Sequence, residues 1–277
     1  MKDKYFFHHF NSRFFKITGK DSLSFIQNLI TNDIEKCTNG SIIYSCLLTP
    51  QGKFLADFFI FNVNDSYFFE TNKKFYNNLL ARLKIYKLRS DIEINEVSNL
   101  HSYSIFNIDY NTENIVLLND PRNINLGKKL ILGKEILIND NEVIEINETE
   151  YHEILIDNTA PYSPFDILEN KSLLLENNFD NLNAIDWKKG CYVGQEITAR
   201  MKYRGLLKKK LYSLYLNKGE IEDNRELFVN NKKIGHIISK ANSKIFAVLN
   251  IEFVNELKKS SNQLTLDNSL VFDFLEW

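Results

Sequence analysis

Lys189-Gly190-Cys191-Tyr192-Val193-Gly194-Gln195-Glu196 is the stretch on which the interpretation of this 277-residue chain depends. It places one thiol between two glycines and close to a lysine. Because glycine adopts backbone conformations that are closed to other residues, such a loop can bring N–H groups close to a ligand. An arbitrary Gly-Cys-x-x-Gly segment is more often a tight structural loop, but the full string is much rarer by chance. We therefore predict a functional loop with Cys191 as its reactive residue.

A helix is predicted to begin where this string ends. The residues from Gln195 onward suit a helix, and Ile197 and Met201 are spaced to share its buried face. Gly194 would then be the N-cap, and Glu196 would complement the helix dipole from the first turn.

The residues of the string predict a thiol that ionises readily and a site that binds anions. Helix N–H groups and the Lys189 ammonium would favour the thiolate form of Cys191. The same N–H groups can bind carboxylates or phosphates. Cations are concentrated around the string, with Glu196 as the one acid among them: Lys188, Lys189, Arg200, Lys202, Arg204, Lys208, Lys209 and Lys210. We expect a carboxylate-rich small molecule or a phosphate chain to be drawn here.

The string resembles the signature of the YgfZ family, folate-binding proteins related to the aminomethyltransferase (T-protein) of the glycine cleavage system. That signature, roughly Lys-Gly-Cys-Tyr-x-Gly-Gln-Glu followed by an Arg and a Gly, is matched without mismatch through Arg200 and Gly205. Three earlier segments resemble further family motifs in the same order: Phe25 to Ile34, Leu47 to Lys53 and Lys84 to Arg89. The resemblance implies an α+β, T-protein-like folate-binding fold of two α+β subdomains with a C-terminal small β-barrel. The expected boundaries are 1–100, 101–205 and 206–277.

The same resemblance implies a tetrahydrofolate-binding accessory protein for iron–sulfur cluster assembly or repair. Cys191 would be a transient cluster ligand, or a thiol that exchanges with a partner. The expected partners are folate and iron–sulfur assembly or client proteins. The residues expected to bind tetrahydrofolate are Asp57, Lys189, Gly190, Tyr192, Gly194, Gln195, Glu196 and Arg200.

Asp57 is the candidate functional acid of the N-terminal half. Ile42 to Leu48 and Phe54 to Val63 predict a hairpin, and Asp57 interrupts the apolar run of its second strand. A carboxylate among large apolar neighbours is costly unless it is paired or used, although an outward-facing strand residue is equally compatible. T-proteins resemble this hairpin but carry two adjacent acids, one of them implicated in catalysis, whereas Ala56 precedes Asp57 here. The single acid argues against the alternative function, a folate-dependent aminomethyltransferase, and leaves open whether the chain is an enzyme.

Composition excludes several classes of protein. A hydrophobic content of 44% supports a large core and more than one domain. The net charge of −2 argues against a nucleic-acid or membrane-surface protein, and no stretch approaches the roughly 20 apolar residues of a membrane span. Cys37, Cys46 and Cys191 form no Cys-x-x-Cys pair, which disfavours disulfides, a zinc site or a permanent iron–sulfur cluster. No metal site is expected, and the reducing cytoplasm is the predicted location.

Periodicity predicts most of the remaining elements. Helical stripes predict helices from Ser22 to about Ile30 and from Lys73 to Leu88. Short apolar runs in 101–147, among them 115–118 and 130–138, predict strands, and Tyr151 to Ile156 fits a helix or a strand. After the signature, alternation with period two predicts an all-β module, with 245–253 as one of its strands.

The segment from Lys4 to Ile17 is rich in phenylalanine and predicts a strand or buried edge. The adjacent His8 and His9 could be ligands, but neighbouring residues of a strand point to opposite faces. We therefore expect one packed and one exposed histidine.

Overall fold

A computed structural model describes residues 3–110, 116–135, 143–221, 225–260, 263–267 and 269–275. The chain divides into two compact units. Unit 1 comprises Met1–Asn147, Glu169–Lys171 and Asp180–Gln195, and unit 2 comprises Glu148–Leu168, Ser172–Phe179 and Glu196–Trp277.

In the part of unit 1 that the structure describes there are two five-stranded sheets and two α-helices. Its strands are β1 (Lys4–His8), β2 (Ser12–Thr18), β3 (Ile42–Leu48), β4 (Phe54–Val63), β5 (Ser66–Asn72), β6 (Glu93–Val97), β7 (His101–Phe106), β8 (Val116–Asn119), β9 (Lys128–Leu132) and β10 (Val143–Glu145). Its helices are α1 (Ser22–Gln27) and α2 (Lys73–Lys87). One sheet has the order β3-β4-β5-β2-β6 and the other β10-β1-β7-β9-β8. The first strand thus belongs to the sheet that the later strands form, where it pairs in parallel with β10.

The predicted hairpin is confirmed, with β3 and β4 at the bounds that periodicity indicates. In its register Cys46 lies opposite Asp57, and Tyr44 lies opposite Phe59. The turn is closed by a 2.8 Å hydrogen bond from the Gly52 N–H to the Thr49 carbonyl.

Helix α2 packs on the first sheet as its apolar stripe predicts. Phe75, Leu79 and Leu83 are buried, and the Phe75 ring meets that of Phe54 edge-on with centroids 5.4 Å apart. Burial of each such side chain stabilises the fold by about 1.5–3 kcal/mol. The prediction for α1 is less accurate, because that helix ends at Gln27 and Leu23 is exposed.

Over its described residues, unit 2 contains four α-helices and a six-stranded sheet. Its elements are α3 (Glu148–Asp157), α4 (Ser163–Asp166), α5 (Gln195–Tyr203), β11 (Lys209–Lys218), β12 (Glu226–Val229), β13 (Lys232–Ala241), β14 (Lys244–Asn250), α6 (Ile251–Ser260), β15 (Gln263–Thr265) and β16 (Val271–Phe274). The strand order is β12-β13-β14-β11-β16-β15. The sheet is curled into a half-barrel, which gives the expected C-terminal β-module its form.

Several predicted elements differ from the observed ones. The segment from Tyr151 to Ile156 is helical, within α3. The strand predicted over 245–253 stops at Asn250, whose side chain accepts a hydrogen bond from the N–H of Phe253 and so starts α6. Parts of the runs predicted over 115–118 and 130–138 lie outside the described residues. The division at residues 100 and 205 stays a prediction.

Every helix in the described ranges is too short or too polar to span a membrane.

Candidate functional site

The signature loop, defined here as residues 186–194, is fixed at its first residue. The carboxylate of Asp186 accepts hydrogen bonds from the N–H groups of Lys188 at 2.6 Å and Lys189 at 2.9 Å. Its other oxygen lies 2.5 Å from the ammonium of Lys36, and its own N–H donates to the Thr31 carbonyl. Burial raises the pKa of Asp186, but these bonds outweigh burial and hold that pKa below its ordinary value.

The side chain of Lys189 anchors the loop to the end of α1. Its ammonium donates to the carbonyls of Gln27 at 2.7 Å, Ile30 at 2.8 Å and Asn32 at 2.7 Å. Carbonyls at a helix C-terminus lack partners within the helix and favour a cation. Burial lowers the pKa of Lys189 to about 8. Lys189 therefore has a structural contact that sequence reasoning missed, and its expected role at the ligand stays a prediction.

The other end of the loop is fixed against the hairpin turn. The Val193 N–H donates to the Asn28 carbonyl at 3.2 Å. Gly194 has φ +83°, and a Cβ built on it would lie 2.4 Å from the Thr49 carbonyl oxygen and 2.8 Å from the Leu48 Cβ. A glycine is therefore required at this position by backbone conformation and by space.

Cys191 is exposed between these two anchors, whereas Cys37 and Cys46 are buried. A packed, purely structural cysteine is therefore excluded at position 191. Gly190 differs from Gly194, since no atom outside Gly190 and its two chain neighbours lies within 4 Å of the place where its Cβ would be. The space beside Gly190 leaves room for a ligand or a partner, and the thiolate form of Cys191 stays a prediction.

The remaining signature residues are distributed between the loop and α5. Tyr192 is buried, and its ring centre lies 5.2 Å from the Lys189 ammonium. Gln195 donates its N–H to the Tyr192 carbonyl. Glu196 and Arg200 are both exposed and form an ion pair with each other across one turn of α5.

The predicted buried face of α5 is wrong in detail. Ile197 and Met201 are only half-buried, and the buried residue of this helix is Thr198. Ligand binding by Gln195, Glu196 and Arg200 stays a prediction.

Asp57 lies on the face of the first sheet that carries Tyr44 and Phe59. The Tyr44 hydroxyl donates to Asp57 Oδ2 at 2.6 Å, and the Tyr44 and Phe59 rings are 5.1 Å apart. Burial, followed by the charge of Asp57, raises the pKa of Tyr44 well above its ordinary value. Asp57 is half-buried and paired with Tyr44, so it is not a fully solvent-facing strand residue. Its role as a functional acid stays a prediction.

A buried ion pair lies on the same face. Glu70 is opposite Phe59 in the strand register, and its Oε1 accepts bonds from the Lys129 ammonium at 2.9 Å and the Ser12 hydroxyl at 2.6 Å. The side chains of Lys129 and Glu70 are 1% and 3% exposed, and Lys129 lies 4.5 Å from the Phe59 ring centre. Among the described residues, Glu70 Oε2 is buried without a hydrogen-bond partner.

A second cation, Arg122 in the connection between β8 and β9, lies against the same face of the first sheet. Arg122 forms a two-point pair with Asp120, at 3.0 and 2.8 Å. Its guanidinium carbon lies 5.5 Å from the Tyr44 ring centre and 5.1 Å from that of Phe59. We call Tyr44, Asp57, Phe59, Glu70, Arg122 and Lys129 the Asp57 cluster.

Sequence reasoning found only Asp57 of this cluster. The signal for Lys129 was available, because a lysine stands directly before the apolar run Leu130-Ile131-Leu132. Within the described residues, no group of three or more His, Cys, Asp or Glu side chains is arranged to hold a metal ion.

Comparison with known proteins identifies a domain and a fold. Residues 7–108 match the model of the GCVT N-terminal domain. The crystal structure of glycine cleavage system aminomethyltransferase T from Bartonella henselae superimposes with a TM-score of 0.76 at 10% identity, covering 99% of this chain and 85% of that one. At that identity the likeness shows the fold alone, and it confirms the predicted α+β, T-protein-like fold.

Curated relatives carry the name iron–sulfur cluster assembly factor IBA57. The Mycosarcoma maydis homolog is 29% identical over 72% of this chain and 54% of its own length. The Dictyostelium discoideum homolog is 28% identical, with coverages of 75% and 61%, and the Mus musculus protein is 23% identical, with 73% and 63%. The chain thus spans between half and two thirds of the length of these relatives.

The names of these relatives correct the predicted location and bear on the predicted family. All three relatives are named mitochondrial, so the expected cytoplasmic location is wrong. The relatives carry the IBA57 name, and the assignment to YgfZ in particular stays a prediction. Residues 7–108 are therefore similar to the GCVT N-terminal domain, the chain has the T-protein fold, and proteins named mitochondrial iron–sulfur cluster assembly factors are among its relatives.

Proposed function

We propose that this chain acts in iron–sulfur cluster assembly, in the mitochondrion, and that Cys191 is the residue through which it acts. The observation that carries the proposal is the exposed thiol on a loop anchored at both ends, in a chain whose other two cysteines are buried. The names of the relatives support the same role.

A thiolate suits this chemistry because sulfur is a soft ligand for iron and a nucleophile toward disulfides. The iron–sulfur cluster would be the substrate. Cys191 would either bind an iron of the cluster transiently or undergo thiol–disulfide exchange with a disulfide of a partner. The anchors at Asp186, Lys189 and Gly194 limit the motion of the loop, so the thiol is presented in a restricted set of positions. Iron–sulfur assembly or client proteins are the proposed partners.

We further propose that the Asp57 cluster binds tetrahydrofolate. The fit rests on the buried Glu70 Oε2, which lacks a partner among the described residues and so provides an acceptor for the N–H groups of a pterin. Asp57 would supply a second acceptor, and Tyr44 and Phe59 apolar faces for the ring. Arg122 and Lys129 are already ion-paired, so the glutamate tail would need other cations. When bound, tetrahydrofolate would supply a reduced pterin able to carry one-carbon units.

Titration calorimetry with tetrahydrofolate tests the ligand. Asp57→Asn should weaken binding by about tenfold, the effect of losing roughly 1.4 kcal/mol of charge-assisted hydrogen bonding. Asp65→Asn, at an exposed position of the same unit, is the matched control and should bind as the wild type does. Absence of heat at concentrations far above physiological folate would remove folate from the proposal and leave the assembly role standing.

Rescue of a host that lacks its own relative tests the assembly role. The wild-type chain should restore growth that depends on iron–sulfur enzymes, and Cys191→Ser should not. Cys37→Ser removes a buried thiol instead and should rescue if it folds, which circular dichroism checks. Full rescue by Cys191→Ser would show that the thiol is dispensable.

A further inference from the structure

A cavity of about 590 Å³ lies within unit 1, where the β1–β2 turn, the β6–β7 connection and the start of α2 meet. Its volume falls in the range of roughly 300–1,000 Å³ that is usual for small-molecule sites. None of the residues expected to bind tetrahydrofolate is among its lining residues. The cavity is therefore formed by a different set of residues from those expected to bind folate.

An aromatic platform forms part of this cavity. Phe10 is 64% exposed, and its ring centroid lies 3.7 Å from that of His8. The His8 ring is also stacked on Tyr103, at 4.4 Å. The Phe10 N–H donates to the His8 carbonyl at 3.0 Å, and Arg13 donates to the Phe10 carbonyl at 3.3 Å. An exposed ring held in this way presents a flat apolar face to a ligand.

Acidic groups outnumber cations in the lining. The carboxylate of Glu135 lies 4.0 Å from the His8 ring and is 63% exposed. Glu96 lies near the Tyr76 hydroxyl, where burial, followed by the Glu96 charge, raises the pKa of Tyr76 to about 12.

Arg13 is the cation that lines the cavity, and its guanidinium is hydrogen-bonded to nearby backbone. Arg13 Nη1 donates to the carbonyls of Phe10 and Ser12 at the β1–β2 turn. Burial lowers the pKa of His8, so that imidazole is neutral near pH 7.5. The two acids Glu96 and Glu135 face one cation, Arg13, and this excess of acidic side chains disfavours an anion such as the folate tail.

We propose that this cavity binds a planar, nitrogen-bearing aromatic molecule in its neutral or cationic form. The ring would lie against Phe10, and its N–H groups would donate to Glu135 and Glu96. A carboxylate or phosphate in place of those donors would be repelled. The proposal is independent of the role of Cys191.

The test uses benzamidine, a planar aromatic cation, and benzoate, which has the same ring and the opposite charge. Protein labelled with ¹³C at the histidine rings is titrated at pH 7.5 up to about 10 mM, the range expected for a fragment of this size. Benzamidine should shift the ring signals of His8 and His101 saturably, and benzoate should not. Absence of saturable shifts, equal binding of benzoate, or shifts confined to His152 and His236 would overturn the proposal.

Variants at exposed positions assign the binding to this cavity. Phe10→Ala should weaken benzamidine at least about tenfold, and Glu135→Gln at least about threefold, through loss of ring contact and of charge. Phe165→Ala, at a 55% exposed phenylalanine of unit 2, is the matched control and should bind as the wild type does. Unchanged affinity in both Phe10→Ala and Glu135→Gln would place the ligand elsewhere and refute the assignment.

Discussion

Replacement of Gly194 by alanine tests whether the signature loop is held against the hairpin turn. The new Cβ would lie 2.4 Å from the Thr49 carbonyl oxygen and 2.8 Å from the Leu48 Cβ, so the loop or the turn must shift. At φ +83° the alanine would also occupy a conformation that side chains with a Cβ rarely adopt.

The magnitude follows from these two costs. A left-handed conformation costs about 1–2 kcal/mol, and forcing an extra carbon into a packed site costs about 1–3 kcal/mol. Reduced freedom of the unfolded chain returns about 0.4–1 kcal/mol. We therefore expect Gly194→Ala to lower the free energy of unfolding of unit 1 by about 3 kcal/mol.

Urea unfolding followed by tryptophan fluorescence measures this loss. The chain has two tryptophans, Trp187 and Trp277, and Trp277→Phe in every variant leaves Trp187, inside the signature loop, as the reporter. Gly190→Ala is the matched control, because nothing lies within 4 Å of its Cβ position, and it should change stability by less than about 1 kcal/mol. Equal stability of the two variants, or a larger loss in Gly190→Ala, would refute the proposed packing.

Three further predictions concern the cysteines and the loop anchor. Native protein should react with one equivalent of a thiol reagent such as dithionitrobenzoate at pH 8, and Cys191→Ser with none, because Cys37 and Cys46 are buried; three fast equivalents would contradict the structure. Burial raises the pKa of Cys37 from 9.0 to about 12, so between those pH values the unfolded chain has lost a proton that the folded chain keeps. The Cys37 contribution to stability should therefore fall by up to about 4 kcal/mol as pH rises from 9 to 12. Burial also raises the pKa of Cys46, so Cys37→Ala should reduce the slope in urea titrations without removing it. An unchanged slope would show that Cys37 does not contribute. Lys189→Met removes the donor to three carbonyls and should lower the unfolding free energy by about 2–4 kcal/mol; full stability in urea would mean that water replaces the ammonium.

Local patterns in the sequence account for the elements that were predicted well. Alternation fixes β3 and β4, and the stripe of Phe75, Leu79 and Leu83 fixes α2. At the end of β14, where an apolar run predicts that the strand continues, a single side chain decides the outcome. Asn250 ends a strand and starts a helix through one hydrogen bond to the N–H of Phe253, which an apolar run does not reveal.

The candidate site depends on contacts between residues distant in sequence, so less of it could be predicted. Lys189 meets the Ile30 carbonyl across 159 residues, and Lys129 meets Glu70 across 59. The rare eight-residue string around Cys191 identified the exposed thiol. A rare local string can be recognised without knowing which distant residues contact it. The string did not indicate that Lys189 anchors the loop. A lysine close to a cysteine is expected to stabilise the thiolate instead.

The measurement that tests the central claim most directly is the activity of an iron–sulfur enzyme in mitochondria of a host lacking its own relative. That host would carry wild-type protein, Cys191→Ser or Cys37→Ser, each at matched abundance. We predict that activity returns with wild type and with Cys37→Ser and stays low with Cys191→Ser. Restoration by Cys191→Ser to the wild-type level would contradict the claim that an exposed thiol on an anchored loop carries the function.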